Sequence, residues 1–306
     1  MVSPPIGIIG GSGLDSIAGL ADVEWRRISS PFGETSDEFC FGTLGGARLV
    51  FLPRHGRGHE IAPSEIPFRA NIDALKRCGV AEIVSLSAVG SMREDLVPGD
   101  FVVIDQFVDQ TFARAKSFFG SGCVAHVSMA RPVCARLGDH LMTAGKAAGI
   151  GMKRGGTYVV IEGPQFSSGA ESELYRLLKY DVIGMTNMPE AKLAREAEIC
   201  YATVAMVTDY DCWHPDHDAV TVGHILAVLR ENADKAKALV KEVVPLLAAA
   251  RGGCREGCRS ALDHALITAP ERRDPARLAR LDAVAGRVLR PGRKEPETAS
   301  PGRGKE

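Results

Sequence analysis

Short apolar runs rich in β-branched residues alternate with helix-spaced segments from residue 6 to residue 247. That alternation is the strongest constraint on the fold, because strands and helices that take turns along a chain pack as an α/β layer structure. The strand-like runs cover residues 6–9, 48–52, 83–86, 101–104, 158–161, 182–185 and 202–207, most of them closed by glycine or polar loops. Helical spacing marks residues 66–77, with Gly79 placed to stop that helix, then 172–179, 190–197 and the long apolar stretch 222–247. The expectation is an α/β fold: a single domain with a central mixed β-sheet flanked by helices, spanning residues 1–251. From residue 252 to 306 the composition shifts to 12 Lys+Arg against 8 Asp+Glu. This reads as a C-terminal extension. Leu278, Leu281, Val284, Val288 and Leu289 fall on one face of a helix, and the Pro/Gly/Ser-rich, charged end after Pro291 is expected to be disordered.

A chain of 306 residues at 45% apolar content can bury a substantial core. Lys+Arg at 37 against Asp+Glu at 38 leaves no positive field for nucleic acid or an anionic membrane surface. Apolar runs fall short of the ~20 residues that span a bilayer. The start, MVSPPIGIIGG, lacks the basic region of a secretory signal, which points to a cytoplasmic enzyme. Collagenous, membrane and strongly basic nucleic-acid-binding classes are excluded. Eight cysteines are scattered, and only Cys254 and Cys258 are close, as C-x-x-x-C with His264 beyond them. Without a pair of C-x-x-C units the zinc signal is weak, and reduced, mostly buried thiols are the expectation.

Five segments carry residues suited to chemistry. The glycine loop 10–13 (GGSG) follows a strand and offers backbone N–H groups and the Ser12 hydroxyl to an anion. It is not a dinucleotide fingerprint, since Ser16 stands where the third glycine is needed. PRHGRGH (53–59) places Arg54 and His55 at a strand end, and an arginine fork suits phosphate oxygens. A solvated basic turn is the plainer reading. SAVGSMRE (87–94) brings Ser87 and small residues to another strand end. EGPQFSSGAES (162–172) combines the aromatic Phe166 with hydroxyls, of which Ser168 or Ser172 can equally be a helix N-cap. TDYDCW (208–213) puts Asp209 and Asp211 two apart after a buried strand, where a desolvated carboxyl can keep a proton and act as an acid. An acidic loop without a role is the alternative.

Together these motifs resemble, in order and through residues 5–245, the 5'-methylthioadenosine phosphorylase branch of the trimeric purine nucleoside phosphorylases. IGIIGGSGLD, RHGRGH, SAVGSMRE, VIDQFVDQT, IEGPQFSS, MTNMPE, AREAEICYA and TDYDCW carry the resemblance. It implies phosphorolysis, with phosphate attacking the ribose anomeric carbon and a purine leaving. It also implies a nucleoside and inorganic phosphate as the small-molecule partners, no cofactor, no metal, and a homo-oligomer, either a trimer or a dimer of trimers. Carried over residue by residue, Ser12, Arg54, His55, Ser87, Ala88 and Thr186 form the phosphate site. Phe166, Met185, Asp209, Tyr210 and Asp211 form the purine and ribose site. Asp209 is the general acid at purine N7.

Three positions bear on specificity. An aspartic acid at 209 suits a 6-amino purine, because it can accept from N6 and donate to N7. The 6-oxopurine branch carries asparagine there, glutamate in place of Ser167 and a histidine near Val222. Val222, Ile225 and Leu226 give an apolar helical face for a 5'-thioether. His126 would reach the 5' pocket of a neighbouring subunit. A phosphorylase for 6-oxopurine nucleosides or methylthioinosine is the alternative reading.

Overall fold

The computed structural model describes residues 3–11, 17–215, 222–250 and 254–289, with the backbone alone for 222–227. In chain order the elements are β1 (Ile6–Gly10), β2 (Ala21–Arg26), β3 (Phe39–Leu44), β4 (Ala47–Pro53), α1 (Phe68–Arg77), β5 (Glu82–Ser91), β6 (Phe101–Val103), β7 (Gln106–Asp109), α2 (Ala135–Ala147), β8 (Met152–Arg154) and β9 (Thr157–Val160). They continue with α3 (Gly169–Leu177), β10 (Val182–Gly184), α4 (Glu190–Glu196), β11 (Cys200–Asp209), α5 (Val222–Ala249), α6 (Pro275–Arg280) and α7 (Gly286–Leu289). All the described strands join one mixed sheet.

Strand β5 organises that sheet. One of its edges pairs in parallel with β11, from Cys200 opposite Glu82 to Val207 opposite Val89. The other edge is shared. Its first half pairs in parallel with β1, ending at Ile9 opposite Ser85. Its end pairs antiparallel with β10, through Ile183 opposite Gly90 and Val182 opposite Ser91. Between Ser85 and Gly90 neither strand covers that edge, so the sheet splits and leaves a slot. Strands β1 and β4 end beside it, at Gly10 and Pro53, which are paired with each other.

The apolar runs are continuous rather than alternating because helices cover both faces. Neighbouring β5 residues Ile83 and Val84 belong to opposite core layers. One layer packs α2 and α5 through Leu137, Leu141, Leu239, Val240 and Val243. The other packs α1 and α4 through Ile72, Leu75, Leu193 and Ala194, joined by Leu262, Ala265, Leu281 and Val284 from the C-terminal segment. That segment supplies two short helices rather than one, because the chain turns between Leu281 and Gly286. In this turn Arg77 ion-pairs with Asp282 and Arg287 with Glu198. The residues after Pro291, expected to be disordered, lie outside the described residues.

The seven strand-like runs all appear: β6 and β10 end one residue early, β9 is shifted by one, and the others are longer. Strand β5 runs on through Ser87-Ala88-Val89-Gly90-Ser91, a stretch too poor in large apolar side chains to read as strand. Strand β2 was not singled out in the sequence: Ala21, Val23 and Trp25 alternate with polar residues, but the run is short and exposed along most of its length.

Candidate active site

Four segments converge on the slot in the sheet. Arg54 follows β4, and its backbone N–H donates to the Gly10 carbonyl at 2.9 Å, which fixes it beside the end of β1. Its guanidinium is buried. Nε donates to Glu190 Oε2 at 3.0 Å, Nη2 to Glu190 Oε1 at 3.2 Å and to Ser85 Oγ at 2.5 Å, and Nη1 to the Leu86 carbonyl at 3.2 Å. Of the five guanidinium N–H groups, four are therefore engaged among the described residues, and the second N–H of Nη1 is the one left there for a ligand. Burial works against charge on Glu190, but Arg54 holds its carboxyl below the usual range, helped by Ser85 and Tyr201.

The Leu86 carbonyl used by Arg54 lies on the slot edge of β5. Successive peptide groups of a strand point to alternate edges, so the Ala88 N–H faces the same slot. The Ser87 side chain stands beside it, with Oγ 2.6 Å from Thr186 Oγ1 and 3.2 Å from the Tyr158 hydroxyl. Thr186 follows β10, so these hydroxyls bridge the two strands that flank the split. Asn187, at a positive φ of 69°, donates to the Ser85, Tyr201 and Thr203 hydroxyls and anchors that turn.

His55 lies next to Arg54. Its Nδ1 is 2.8 Å from the Ile61 carbonyl, an acceptor, so Nδ1 carries the hydrogen and Nε2 is left for a ligand. The ring stacks on His59 with centroids 4.1 Å apart. Burial, together with the charge of Arg54 and the proximity of His59, pushes the His55 imidazole down to about 4, although its bond to Ile61 acts in the other direction.

Asp209 ends β11 opposite Gly90, past a bulge at Thr208. A Cβ on residue 90 would sit 2.8 Å from Asp209 Oδ1, so glycine there is what lets the carboxyl approach β5. Oδ1 accepts from the Asp211 N–H at 2.8 Å, and Oδ2 lies 2.6 Å from the Thr208 hydroxyl. Asp211 is buried at a positive φ of 53°. Burial raises its carboxyl above the ordinary range, against the nearby Ser172 hydroxyl and with the charge of Asp209. Tyr210 is buried against Trp213 and His214, and the Trp213 indole N–H donates to the Ser91 carbonyl at 2.7 Å.

The remaining residues singled out in the sequence spread more widely. Met185 packs against Gly163, and its carbonyl accepts from Arg114. Ser168 is the N-cap of α3, in a capping box with Glu171. Ser167 Oγ is buried beside the Asp211 carboxyl, with no partner at good hydrogen-bond geometry among the described residues. Phe166, expected against the purine, is 47% exposed. His126 is exposed on a loop tied by its own N–H to the Ala265 carbonyl at 2.8 Å. Ser12 lies outside the described residues, and of Val222, Ile225 and Leu226 only the helical backbone is described.

Two supporting residues escaped the sequence reading. Arg114 donates from Nη1 to the Met185 and Met188 carbonyls and from Nη2 to the Glu162 carbonyl, all at 2.7–2.8 Å. Its Nε donates to Glu162 Oε1 at 3.0 Å. Burial opposes charge on Glu162, but bonds from Ser64, Ala113, Phe112 and Arg114 hold it at about 2. This pair clamps the ends of β9 and β10. Glu162 stood in the segment 162–172 without a role of its own, and Arg114 is a charged residue in a loop between apolar runs, which is not distinctive.

The chain as a whole resembles known proteins. Residues 5–245 match the phosphorylase superfamily. The chain is 60% identical over 285 residues to the S-methyl-5'-thioadenosine phosphorylase of Cereibacter sphaeroides, covering 93% of this chain and 98% of that protein. It is 61% identical over 290 residues to the one from Bradyrhizobium diazoefficiens, covering 95% and 100%. Among solved structures, a methylthioadenosine phosphorylase from an antarctic soil metagenomic library superposes with a TM-score of 0.87 at 48% identity, covering 93% of this chain and 99% of that one. The Schistosoma mansoni methylthioadenosine phosphorylase in complex with adenine gives 0.81 at 37% identity, covering 85% and 98%. The chain therefore belongs to the phosphorylase superfamily, in its S-methyl-5'-thioadenosine phosphorylase family.

Proposed function

We propose that the protein catalyses the reversible phosphorolysis of S-methyl-5'-thioadenosine to adenine and 5-methylthioribose 1-phosphate. One observation carries this reading. The phosphate-side donors and the base-side carboxyl lie along one strand, since Asp209 is opposite Gly90, two residues beyond Ala88. At about 3.3 Å per residue, that separates them by about 7 Å, the width of a ribose between an attacking phosphate and a departing purine.

Phosphate sits in the slot, held by the remaining Arg54 N–H, His55 Nε2, the Ala88 N–H and the Ser87 and Thr186 hydroxyls, with Ser12 completing the set. A phosphate oxygen forms a bond to the anomeric carbon as the carbon–N9 bond breaks, and the electron pair of that bond leaves with the purine. Holding both partners in line lowers the entropic part of the barrier. The purine accepts a proton at N7 from the Asp209 carboxyl, which neutralises the leaving base. The Thr208 hydroxyl, 2.6 Å from Asp209 Oδ2 and 3.2 Å from the Val89 carbonyl, and the Asp211 N–H, 2.8 Å from Oδ1, orient that carboxyl. Asp211, Tyr210, Met185 and Phe166 shape the base and ribose side, and Phe166 closes over the purine from its exposed position. Ser167, Val222, Ile225 and Leu226 set the preference for a 6-amino purine with an apolar 5' group.

The protein acts in the cytoplasm as a homo-oligomer. Light scattering should give a mass of three or six chains. The reaction itself is tested by incubating the protein with S-methyl-5'-thioadenosine and phosphate. Adenine and sugar 1-phosphate should appear in equal amounts, whereas free methylthioribose would indicate hydrolysis and overturn the reading.

A further inference from the structure

At the far end of β11 from Asp209, four cysteines come together that are widely separated in the sequence. Cys134 precedes α2, Cys200 opens β11, and Cys254 and Cys258 lie on the turn that begins the C-terminal segment. Their sulfurs all lie within 4.8 Å of one another, and Cys134 and Cys254 are 3.6 Å apart. We propose that these four side chains form a tetrathiolate site for one divalent metal ion of zinc type, which fastens the C-terminal segment to the sheet.

The spacing fits a single ion. With zinc–sulfur bonds of about 2.3 Å, the edge of a regular tetrahedron is about 3.8 Å. A disulfide requires about 2.05 Å, well short of the Cys134–Cys254 separation. Cys134, Cys200, Cys254 and Cys258 form no disulfide, so the four sulfurs are available. Iron–sulfur clusters hold their cysteines on separate irons and spread the sulfurs further apart. Four soft thiolates and no carboxylate or imidazole select zinc over magnesium or calcium. His264, the one histidine that the C-x-x-x-C spacing suggested, is exposed and outside the cluster.

The backbone is built to hold these ligands. The Cys134 N–H donates to the Tyr201 carbonyl at 2.8 Å and the Cys200 N–H to the Ala81 carbonyl at 3.0 Å. Those bonds set two ligands on adjacent elements. Gly257, at a φ of 71°, lets the chain curl so that Cys258 returns to Cys254. The Glu256 N–H donates to Cys254 Sγ at 3.3 Å, the kind of support that thiolate ligands receive from backbone amides. Cys134 is the N-cap of α2 and its side chain caps nothing, so the positive end of the helix faces its sulfur. Arg136 lies against Cys200 and pairs with Glu82, and its buried Nε–H has no acceptor among the described residues. A site of four thiolates around a divalent ion carries two negative charges, which the single charge of Arg136 offsets in part. Binding displaces the thiol protons to solvent.

The site is structural. It lies nine residues along β11 from Asp209, about 30 Å at the usual strand rise. Its effect should reach the C-terminal segment, which buries Leu262, Leu281 and Val284.

The test measures metal in the full-length protein purified under reducing conditions. Elemental analysis should find one zinc per chain, and replacement by cobalt should give the visible bands of a tetrahedral site with sulfur-to-cobalt charge transfer. Stripping with a chelator should lower Tm by about 5 °C or more. The variant with Cys254→Ser and Cys258→Ser should lose the metal and the cobalt bands while keeping kcat within about twofold. Three results would overturn the proposal. One is wild-type protein that takes up no zinc or cobalt when reduced and supplied with the ion. Another is freshly purified protein whose mass shows two disulfides among these residues. The third is a double variant that still binds one equivalent.

Discussion

Glu190 grips Arg54 through two bonds, Oε2 to Nε at 3.0 Å and Oε1 to Nη2 at 3.2 Å, with both side chains 3% exposed. The pair leaves one guanidinium N–H turned to the slot, so Glu190 is a positioning residue for phosphate. Glu190→Ala strands a buried cation and should cost about 3–5 kcal/mol of folding stability. Glu190→Gln keeps the shape and loses the charge. It should raise KM for phosphate about tenfold, equivalent to about 1.4 kcal/mol, with a smaller change in KM for the nucleoside. Denaturant midpoints and phosphate saturation curves check both, and an unchanged midpoint for Glu190→Ala would contradict the assignment.

The Ser87 and Thr186 hydroxyls, 2.6 Å apart, should act as one unit. Ser87→Ala and Thr186→Val should each weaken phosphate binding, and the double variant should lose less than the two single losses combined. The coupling should fall at about 0.5–3 kcal/mol. Simple additivity in phosphate KM would mean that the two hydroxyls do not share a ligand.

How far the site was legible depends on what each residue does. Arg54, His55 and Asp209 follow apolar runs, so periodicity placed them at strand ends, whereas Ser87, expected at such an end, lies inside β5, which runs on to Ser91. Glu190, Arg114 and Asn187 were not legible, because they hold other residues in place and carry no spacing of their own. The slot itself was invisible, since it arises from β1 and β10 sharing one edge of β5, a pairing that no local pattern encodes. Likewise Cys134 and Cys200 gave no signal, because a tertiary fold rather than a short motif brings them to Cys254 and Cys258.

His55 should give a pH dependence of known sign. Its imidazole stays neutral in the folded protein down to about pH 4, whereas in the unfolded chain it takes a proton near 6.5. The unfolded state therefore binds more protons between those values, and stability falls as the pH drops from about 6.5 to 4. At pH 5 the loss should be about 2 kcal/mol. His55→Gln should remove that part of the difference between pH 7.5 and pH 5 in chemical denaturation. Equal pH dependence in the two proteins would place the proton elsewhere.

Asp209→Asn removes the proton donated to N7 and supplies an amide suited to a 6-oxo group. Turnover of S-methyl-5'-thioadenosine should fall by about 10²–10⁴, and the ratio of kcat/KM for adenine over hypoxanthine nucleosides should drop. A variant with wild-type turnover and an unchanged ratio would remove Asp209 from the chemistry and shift attention to Asp211.

The central claim is a phosphorylase for a 6-amino purine nucleoside with an apolar 5' group. The most direct measurement is release of free base from S-methyl-5'-thioadenosine, adenosine, methylthioinosine and inosine in parallel, with and without phosphate. The highest kcat/KM is expected for S-methyl-5'-thioadenosine, with no turnover when phosphate is omitted. Preference for the two inosine substrates, or base release without phosphate, would contradict it.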